Sequence, residues 1–300
     1  MRGALTKAYW PCFGASDALA NGDESNSLRE RIIYETNRVK ENPMGEFCSV
    51  VKEERLTIVT IERPDVMNAL HPPGNFELAE VFDDFASDPE QWVAIITGAG
   101  DRAFSAGNDL KYQASGGKMG GPASGFAGLT SRFDNPKPVI AAVNGLAMGG
   151  GFEIALACDL IVASRNAIFA LPEPRVGLAA LAGGIHRLPR EIGMKQAMGM
   201  LLTGRRVDAE EGKALGFVNE VVPEGEALAA AKRWAAQILE CAPLSVRGSK
   251  EAAMQGLSAD SLEAAIKGRY SQIKAMSDSE DFIEGPRAFS EKRAPQWKGQ

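Results

Sequence analysis

Histidine is scarce in this sequence: His71 and His186 are the only two in 300 residues, which leaves a His-based metal site or a Ser-His-Asp triad very few ways to be built. The four cysteines (Cys12, Cys48, Cys158, Cys241) are scattered and form no CxxC pair. That spacing fits neither a zinc site nor a disulfide framework, and it makes reduced thiols in a cytoplasmic setting the expectation. No apolar run approaches the roughly 20 residues that cross a bilayer, so no membrane partner is expected. Basic charge is also short: 33 Lys and Arg stand against 39 Asp and Glu, a net charge of -6. General nucleic-acid binding, which usually shows a basic excess or stripe, is therefore not expected. Anionic small ligands stay open, because a few N–H groups and one or two lysines can hold a phosphate.

What is present is ordinary globular composition, 45% hydrophobic and 24% charged, in a chain long enough to bury a large core. Residues 1 to 45 carry no alternating or helical apolar pattern and no apolar core of a signal peptide. Asp17, Asp23 and Glu24 weaken a transit-peptide reading. The expectation is a poorly structured extension or leader, with Met44 as the start of the domain proper.

From Phe47 the pattern changes. "SVVKEERLTIVTIERP" reads as two strands joined by a charged turn, and "NFELAEVFDDFASDP" has apolar residues at helical spacing. "WVAIITGAG" and "KPVIAAVNG" are continuous buried strands running into glycines, and "LIVASRNAIFALPE" supplies two more short strands. The middle of the chain thus repeats strand, glycine-rich turn and helix. Beyond Arg187 helices dominate: "EIGMKQAMGMLLTG", "DAEEGKALG" with Asp208 as N-cap and Gly216 as stop, "GEALAAAKRWAAQILECAP", and "SADSLEAAIKGRYSQIKAM". An α/β core over 46–200 followed by a helical region over 201–300 is predicted.

Two glycine-rich turns carry the chemistry. "TGAGDRAFSAGNDLK" is not a dinucleotide fingerprint, because Gly98-Ala99-Gly100-Asp101-Arg102-Ala103 lacks the third glycine, and no Walker A loop is present there. "NGLAMGGGFEIALACD" places three glycines at the start of a helix, whose free N–H groups and dipole suit a developing oxyanion. Taken alone, the glycine run is better read as permitting close helix–strand packing.

"AFSAGNDLK" resembles the AFxAGxDLK segment of the crotonase (enoyl-CoA hydratase/isomerase) family, and "KPVIAAVNGLAMGGGFEIALACDLIVAS" is similar to that family's signature almost throughout. "NAIFALPEPRVGL…GGIHRLPR", "LLTGRRVDAEEGKALGFVNEVV" and "SEDFIEGPRAFSEKRAPQW" continue the resemblance in order, from Phe47 to the end of the chain. It implies a crotonase-like α/β fold of repeated ββα units with a helical C-terminal trimerisation region, assembled as a homotrimer or hexamer. It implies an acyl-CoA thioester substrate, with the coenzyme part of the substrate and no metal or redox cofactor. The oxyanion hole falls on the N–H groups of Asn108 and Gly150. The Asn108 side chain either touches the ligand or points into solvent. Ala106 and Asn108, Asp109, Leu110 and Lys111 fall where the coenzyme lies, and Phe289 and Lys292 where it is reached from the C-terminal end, by the same or a neighbouring subunit.

The hydratase branch of the family uses two glutamates, which by resemblance are Glu153 and Glu173. Paired carboxylates suit syn hydration of an enoyl thioester: one takes a proton from water, and the other group delivers a proton to the α-carbon. Crowding two carboxyls in an apolar pocket pushes their pKa values apart. Singly, Glu153 is also what a helix's first turn favours, and Glu173, between two prolines, reads as a turn residue. His71 is expected in a loop and His186 in a structural role. Where hydratases usually carry PGAGG, this chain has Ala180-Leu181-Ala182-Gly183-Gly184, which is expected to reshape the acyl pocket. "GFAGLT" and "EGPRAFSEKRAPQWKG" particularly resemble the carnitinyl-CoA dehydratase branch, whose chemistry is the same. Δ3,Δ2-enoyl-CoA isomerisation needs one carboxylate. Crotonase-fold binding and scaffold proteins, some of them RNA-binding, form a non-enzymatic alternative, against which the acidic balance and the glutamate pair both count.

Overall fold

The computed structural model describes residues 45–300 and the backbone of one short strand before them, β1 (Lys40–Glu41). The expected leader, apart from that strand and Gly45, lies outside the described residues, and Met44 with it. β1 pairs antiparallel with β2 (Cys48–Glu53), which forms a hairpin with β3 (Leu56–Ile61) turning at Glu54, whose φ is 49°. Helix α1 (Pro72–Ser87) follows, opened by two prolines in the first turn, where a missing N–H costs nothing. The chain then repeats a ββα unit three times. The units are β4 (Val93–Gly98), β5 (Ala103–Ser105) and α2 (Leu110–Ala114); β6 (Val139–Val143), β7 (Leu146–Met148) and α3 (Gly150–Ala157); β8 (Leu160–Ser164), β9 (Ile168–Ala170) and α4 (Gly184–Ile192).

The first strand of each unit enters one sheet and the second enters another. Among the described residues the sheets are seven-stranded, in the order β1-β2-β3-β4-β6-β8-β11, and four-stranded, in the order β10-β9-β7-β5. Their last strands, β10 (Val207–Asp208) and β11 (Glu220–Val222), come from residues 201–300, so that part of the chain completes both sheets as well as supplying helices. Pairing from β3 through β11 is parallel, with registers such as Ile95 beside Ile140. Alternation then sorts side chains between two cores. Val93, Ile95, Ile140, Ala142 and Val162 face one; Ala94, Ile96, Ala141, Val143 and Ala163 face the other, with the second sheet and α3.

In the second core Phe152 lies 5.2 Å from Phe169 and 5.1 Å from Phe217, ring to ring, which wedges α3 in place. On the opposite face α7 (Ala227–Leu239) buries Ala227, Ala230, Ala231 and Ala235, small residues at helical spacing that let the helix approach the sheet closely.

Two predicted helices are broken in the structure. "EIGMKQAMGMLLTG" divides at Gly193, whose φ of 80° and ψ of 154° end α4 before α5 (Met194–Thr203). After α8 (Pro243–Gly256), "SADSLEAAIKGRYSQIKAM" divides into α9 (Leu262–Ile266) and α10 (Ser271–Ser277), because Tyr270 folds back over Gly268 to donate to the Ala265 carbonyl at 2.5 Å. α11 (Asp281–Glu291) closes the order. The helix α6 (Ala209–Leu215) begins and ends as its sequence predicts: Asp208 Oδ1 accepts from the Glu211 N–H at 2.8 Å, and Gly216 closes it at φ 103°. Asp208→Ala should cost about 1 kcal/mol, read as a thermal midpoint lower by about 2–4 °C.

Candidate active site

β5 ends in Ala106-Gly107-Asn108-Asp109. The Leu70 N–H donates to the Gly107 carbonyl at 2.7 Å and the Asp109 N–H donates to the Leu70 carbonyl at 2.9 Å. This is a parallel bridge between Leu70 and Asn108, in which the middle residue turns its own N–H to the opposite side. Gly107 has a φ of 84°, and a β-carbon on it would lie 2.5 Å from the Met148 carbonyl and 2.7 Å from the Gly150 nitrogen. Only glycine fits there, and it brings the Asn108 turn against the first residue of α3. A β-carbon on Gly151 would lie 2.0 Å from the Ser105 carbonyl, so the same close approach continues one residue on. Among the described residues no acceptor takes the N–H of Asn108 or of Gly150.

Glu153, one turn into α3, is 3% exposed. Its Oε1 accepts from the Gly184 N–H, at the start of α4, at 2.8 Å. Burial pushes its pKa up to about 7, opposed by the Gly184 N–H and helped by the charge of Glu173. A β-carbon on Gly184 would press within 3.1 Å of the Glu153 carboxylate, a tight contact. Glu173 opens a single 3-10 turn, Glu173–Val176, and reaches back over α3: a β-carbon on Gly149 would meet its Oε1 at 2.9 Å. Its Oε2 is buried with no hydrogen-bond partner among the described residues, and burial raises its pKa too. The two carboxyls and the two N–H groups therefore meet at the Gly149–Gly150 start of one helix.

The remaining predicted residues divide. Asp109 is a buried structural group: it caps α2 by accepting from the Tyr112 N–H at 3.1 Å and pairs with Arg63 at 3.1 Å. Burial opposes its ionisation, but those two donors prevail and hold its carboxyl below the usual range. The Asn108 amide turns outward and donates to Gln113 Oε1 at 2.7 Å. Ala106 is half-buried, and Leu110 and Lys111 are exposed on α2. Phe289 and Lys292 are exposed at the end of α11. The tail after α11 joins the core on the far face of the larger sheet, where Trp297 packs against the cluster that holds Trp92 and the α7 alanines. His71 precedes α1, its ring 4.5 Å from Phe47 and 5.5 Å from Tyr112, and exposed His186 lies in the first turn of α4. Leu181 points outward, 77% exposed.

Sequence reasoning missed two neighbours of the site. The Phe126 ring lies where a β-carbon on Gly150 would be, within 2.6 Å of it, and so covers the helix start. Arg187 reaches across from α4 to the Thr130 carbonyl. Both depend on a loop and a helix distant in sequence, and no local pattern announces them.

The family model "Enoyl-CoA hydratase/isomerase" matches residues 52–300. The chain belongs to the enoyl-CoA hydratase/isomerase family. A carnitinyl-CoA dehydratase from Citrobacter koseri is 45% identical to it over 263 residues, covering 85% of this chain and all of the relative. The crystal structure of an enoyl-CoA hydratase from Mycobacterium tuberculosis superposes with a TM-score of 0.79 at 37% identity, over 85% of this chain and 100% of that one. A carnitinyl-CoA hydratase from Mycobacterium avium gives 0.68 at 39% identity, over 86% and 100%. Enzymes of this family act on acyl-CoA thioesters, and the ββα repeat described above is the family's crotonase fold.

Proposed function

We propose that the protein is an enoyl-CoA hydratase that adds water syn across a 2-enoyl-CoA. The observation that carries this reading is the meeting of buried Glu153 and half-buried Glu173, whose Oε2 is itself buried, with two unengaged backbone N–H groups at the start of α3. Glu153, with its pKa near 7, takes a proton from the water that attacks the β-carbon. The electron pair of the double bond moves onto the thioester oxygen, which the N–H groups of Asn108 and Gly150 hold as an oxyanion. Each such donor contributes about 2.7–4 kcal/mol. Glu173, whose burial favours its protonated form, then delivers a proton to the α-carbon as the enolate collapses. Proton exchange with water resets the pair. The unpartnered Oε2 of Glu173 gains in the attacking water the partner it otherwise lacks.

The coenzyme lies along Ala106 and Asn108–Lys111, where exposed Lys111 can meet its phosphates. Phe289 and Lys292 act on a neighbouring copy's coenzyme within a homotrimer or hexamer. No metal or redox cofactor has a part in these steps, and the scattered cysteines fit a cytoplasmic enzyme.

A second reading has its own support. Relatives named carnitinyl-CoA dehydratase match over their whole length, and that hydro-lyase chemistry uses the same acid–base pair on a trimethylammonium-bearing chain. Isomerisation, by contrast, leaves one buried carboxylate unused. Following the enoyl-thioester ultraviolet band separates these readings. Its loss with crotonyl-CoA establishes the hydratase. Turnover only of an enoyl-CoA carrying a γ-trimethylammonium group moves the assignment to the second reading. Turnover of neither rejects both.

A further inference from the structure

We propose that Arg187 is a positioning residue for Glu153, holding in place the Gly183–Gly184 turn whose N–H hydrogen-bonds the Glu153 carboxylate. This rests on the base role proposed for Glu153.

The geometry joins three segments through one side chain. The Arg187 N–H donates to the Gly183 carbonyl at 2.8 Å in the first turn of α4, and its guanidinium folds back over Gly183. Gly183 has a φ of 110°, and a β-carbon there would lie 2.1 Å from Arg187 Nη1, so a side chain would displace the guanidinium from this position. Nη2 donates to the Thr130 carbonyl at 2.9 Å, which ties α4 to the segment that places Phe126 over Gly150. The far side of the guanidinium stacks over the Phe133 ring at 5.5 Å. The N–H given to Glu153 belongs to Gly184, the residue between the glycine that Arg187 covers and the rest of its own helix.

The electrostatics run the same way. Half-buried Arg187 and buried Glu153 each favour the other's charged form. The charged groups facing Glu153 are Glu173, from the 3-10 turn, and Arg187, from α4. Those facing Arg187 are Glu191 on its own helix, Cys158 at the end of α3, and Glu153. Cys158 is neutral, since burial drives its thiol well above the usual range. Removing Arg187 therefore leaves Glu153 with burial and the Glu173 charge against only its backbone donors. Its proton is held more tightly, and the base form is depleted at neutral pH.

The test is a titration that needs no turnover, followed by a pH profile. Glutamate labelled with carbon-13 at the side-chain carboxyl, with Glu153→Gln assigning the signal, reports the Glu153 midpoint directly. In Arg187→Gln the midpoint should rise, by up to about one pH unit, as the turn that offers the Gly184 N–H loosens and a favourable charge is lost. In Arg187→Lys it should stay near the wild-type value. With an enoyl-CoA that the wild type consumes, Arg187→Gln should lower kcat by up to about fivefold at pH 7 with KM within about twofold. Its acid limb should move to higher pH by the same interval. A thermal melt and circular dichroism check folding. Arg187→Leu, which fills a similar volume, supplies a second neutral variant should Arg187→Gln fail to fold. An unmoved midpoint in a folded neutral variant overturns the proposal, even if activity falls, since that is what a purely structural role predicts. A raised midpoint in a protein whose wild type turns over no enoyl-CoA upholds the Arg187–Glu153 coupling and rejects the hydratase reading instead.

Discussion

Glu153→Gln is expected to lower kcat/KM for an enoyl-CoA by about a hundredfold to ten-thousandfold, the usual effect of removing a positioned general base. Glutamine keeps the shape and can still accept from the Gly184 N–H, so the loss isolates proton transfer from packing. The pH dependence fixes the sign. Glu153 works as a carboxylate, and burial has raised its pKa to about 7. Wild-type kcat/KM should therefore fall as pH drops through that region, and the limb should vanish from the residual rate of the variant. Stability moves the opposite way. A carboxyl whose folded pKa lies above its unfolded value favours folding below the unfolded value and loses that contribution as pH rises through about 7. Glu153→Gln should consequently melt no earlier than wild type at pH 4 and later than wild type at pH 8. An inactive variant that is also less stable at pH 8 would mean the glutamate is structural.

Gly107→Ala should be nearly as damaging without touching any side chain in the site. The new β-carbon would sit 2.5 Å from the Met148 carbonyl and 2.7 Å from the Gly150 nitrogen, and both contacts are backbone, so neither yields by rotating. Relief requires the Asn108 turn to part from α3, which separates the two N–H donors. Losing one oxyanion donor typically lowers kcat by about a hundredfold to a thousandfold. The φ of 84° adds a strain of about 1–2 kcal/mol for any residue with a β-carbon. Gly193→Ala is the control, because Gly193 has a φ of 80° but nothing within 4 Å of the added atom. It should lose stability through the backbone alone and keep its turnover. Equal turnover in both variants would detach the glycine turn from the chemistry.

Much of this molecule is legible along the chain. The continuous apolar runs "WVAIITGAG" and "KPVIAAVNG" became β4 and β6 because both faces of each strand are buried, which leaves no alternation to misread. The cap at Asp208 and the stop at Gly216 are local hydrogen-bond chemistry, so three or four residues were enough to place α6. The break at Gly268 was not legible, since the surrounding residues are good helix formers. It follows from Tyr270 reaching the Ala265 carbonyl, a choice made by the folded chain. The candidate site divides in the same way. Glu153, Glu173, Asn108 and Gly150 stand in recognisable motifs, and the structure brings them to one helix start. Arg187 and Phe126 act there through contacts to Thr130 and Gly150, the first 57 residues away in the chain, set by how the ββα units stack.

The most direct test of the two-carboxylate account is hydration of crotonyl-CoA in oxygen-18 water, with the product weighed by mass spectrometry. Wild type, Glu153→Gln and Glu173→Gln are to be compared at pH 8. The account predicts a 3-hydroxybutyryl-CoA carrying the heavy oxygen from the wild type, and label entering at least about a hundredfold more slowly in each variant. Label entering either folded variant within about tenfold of the wild-type rate would contradict it.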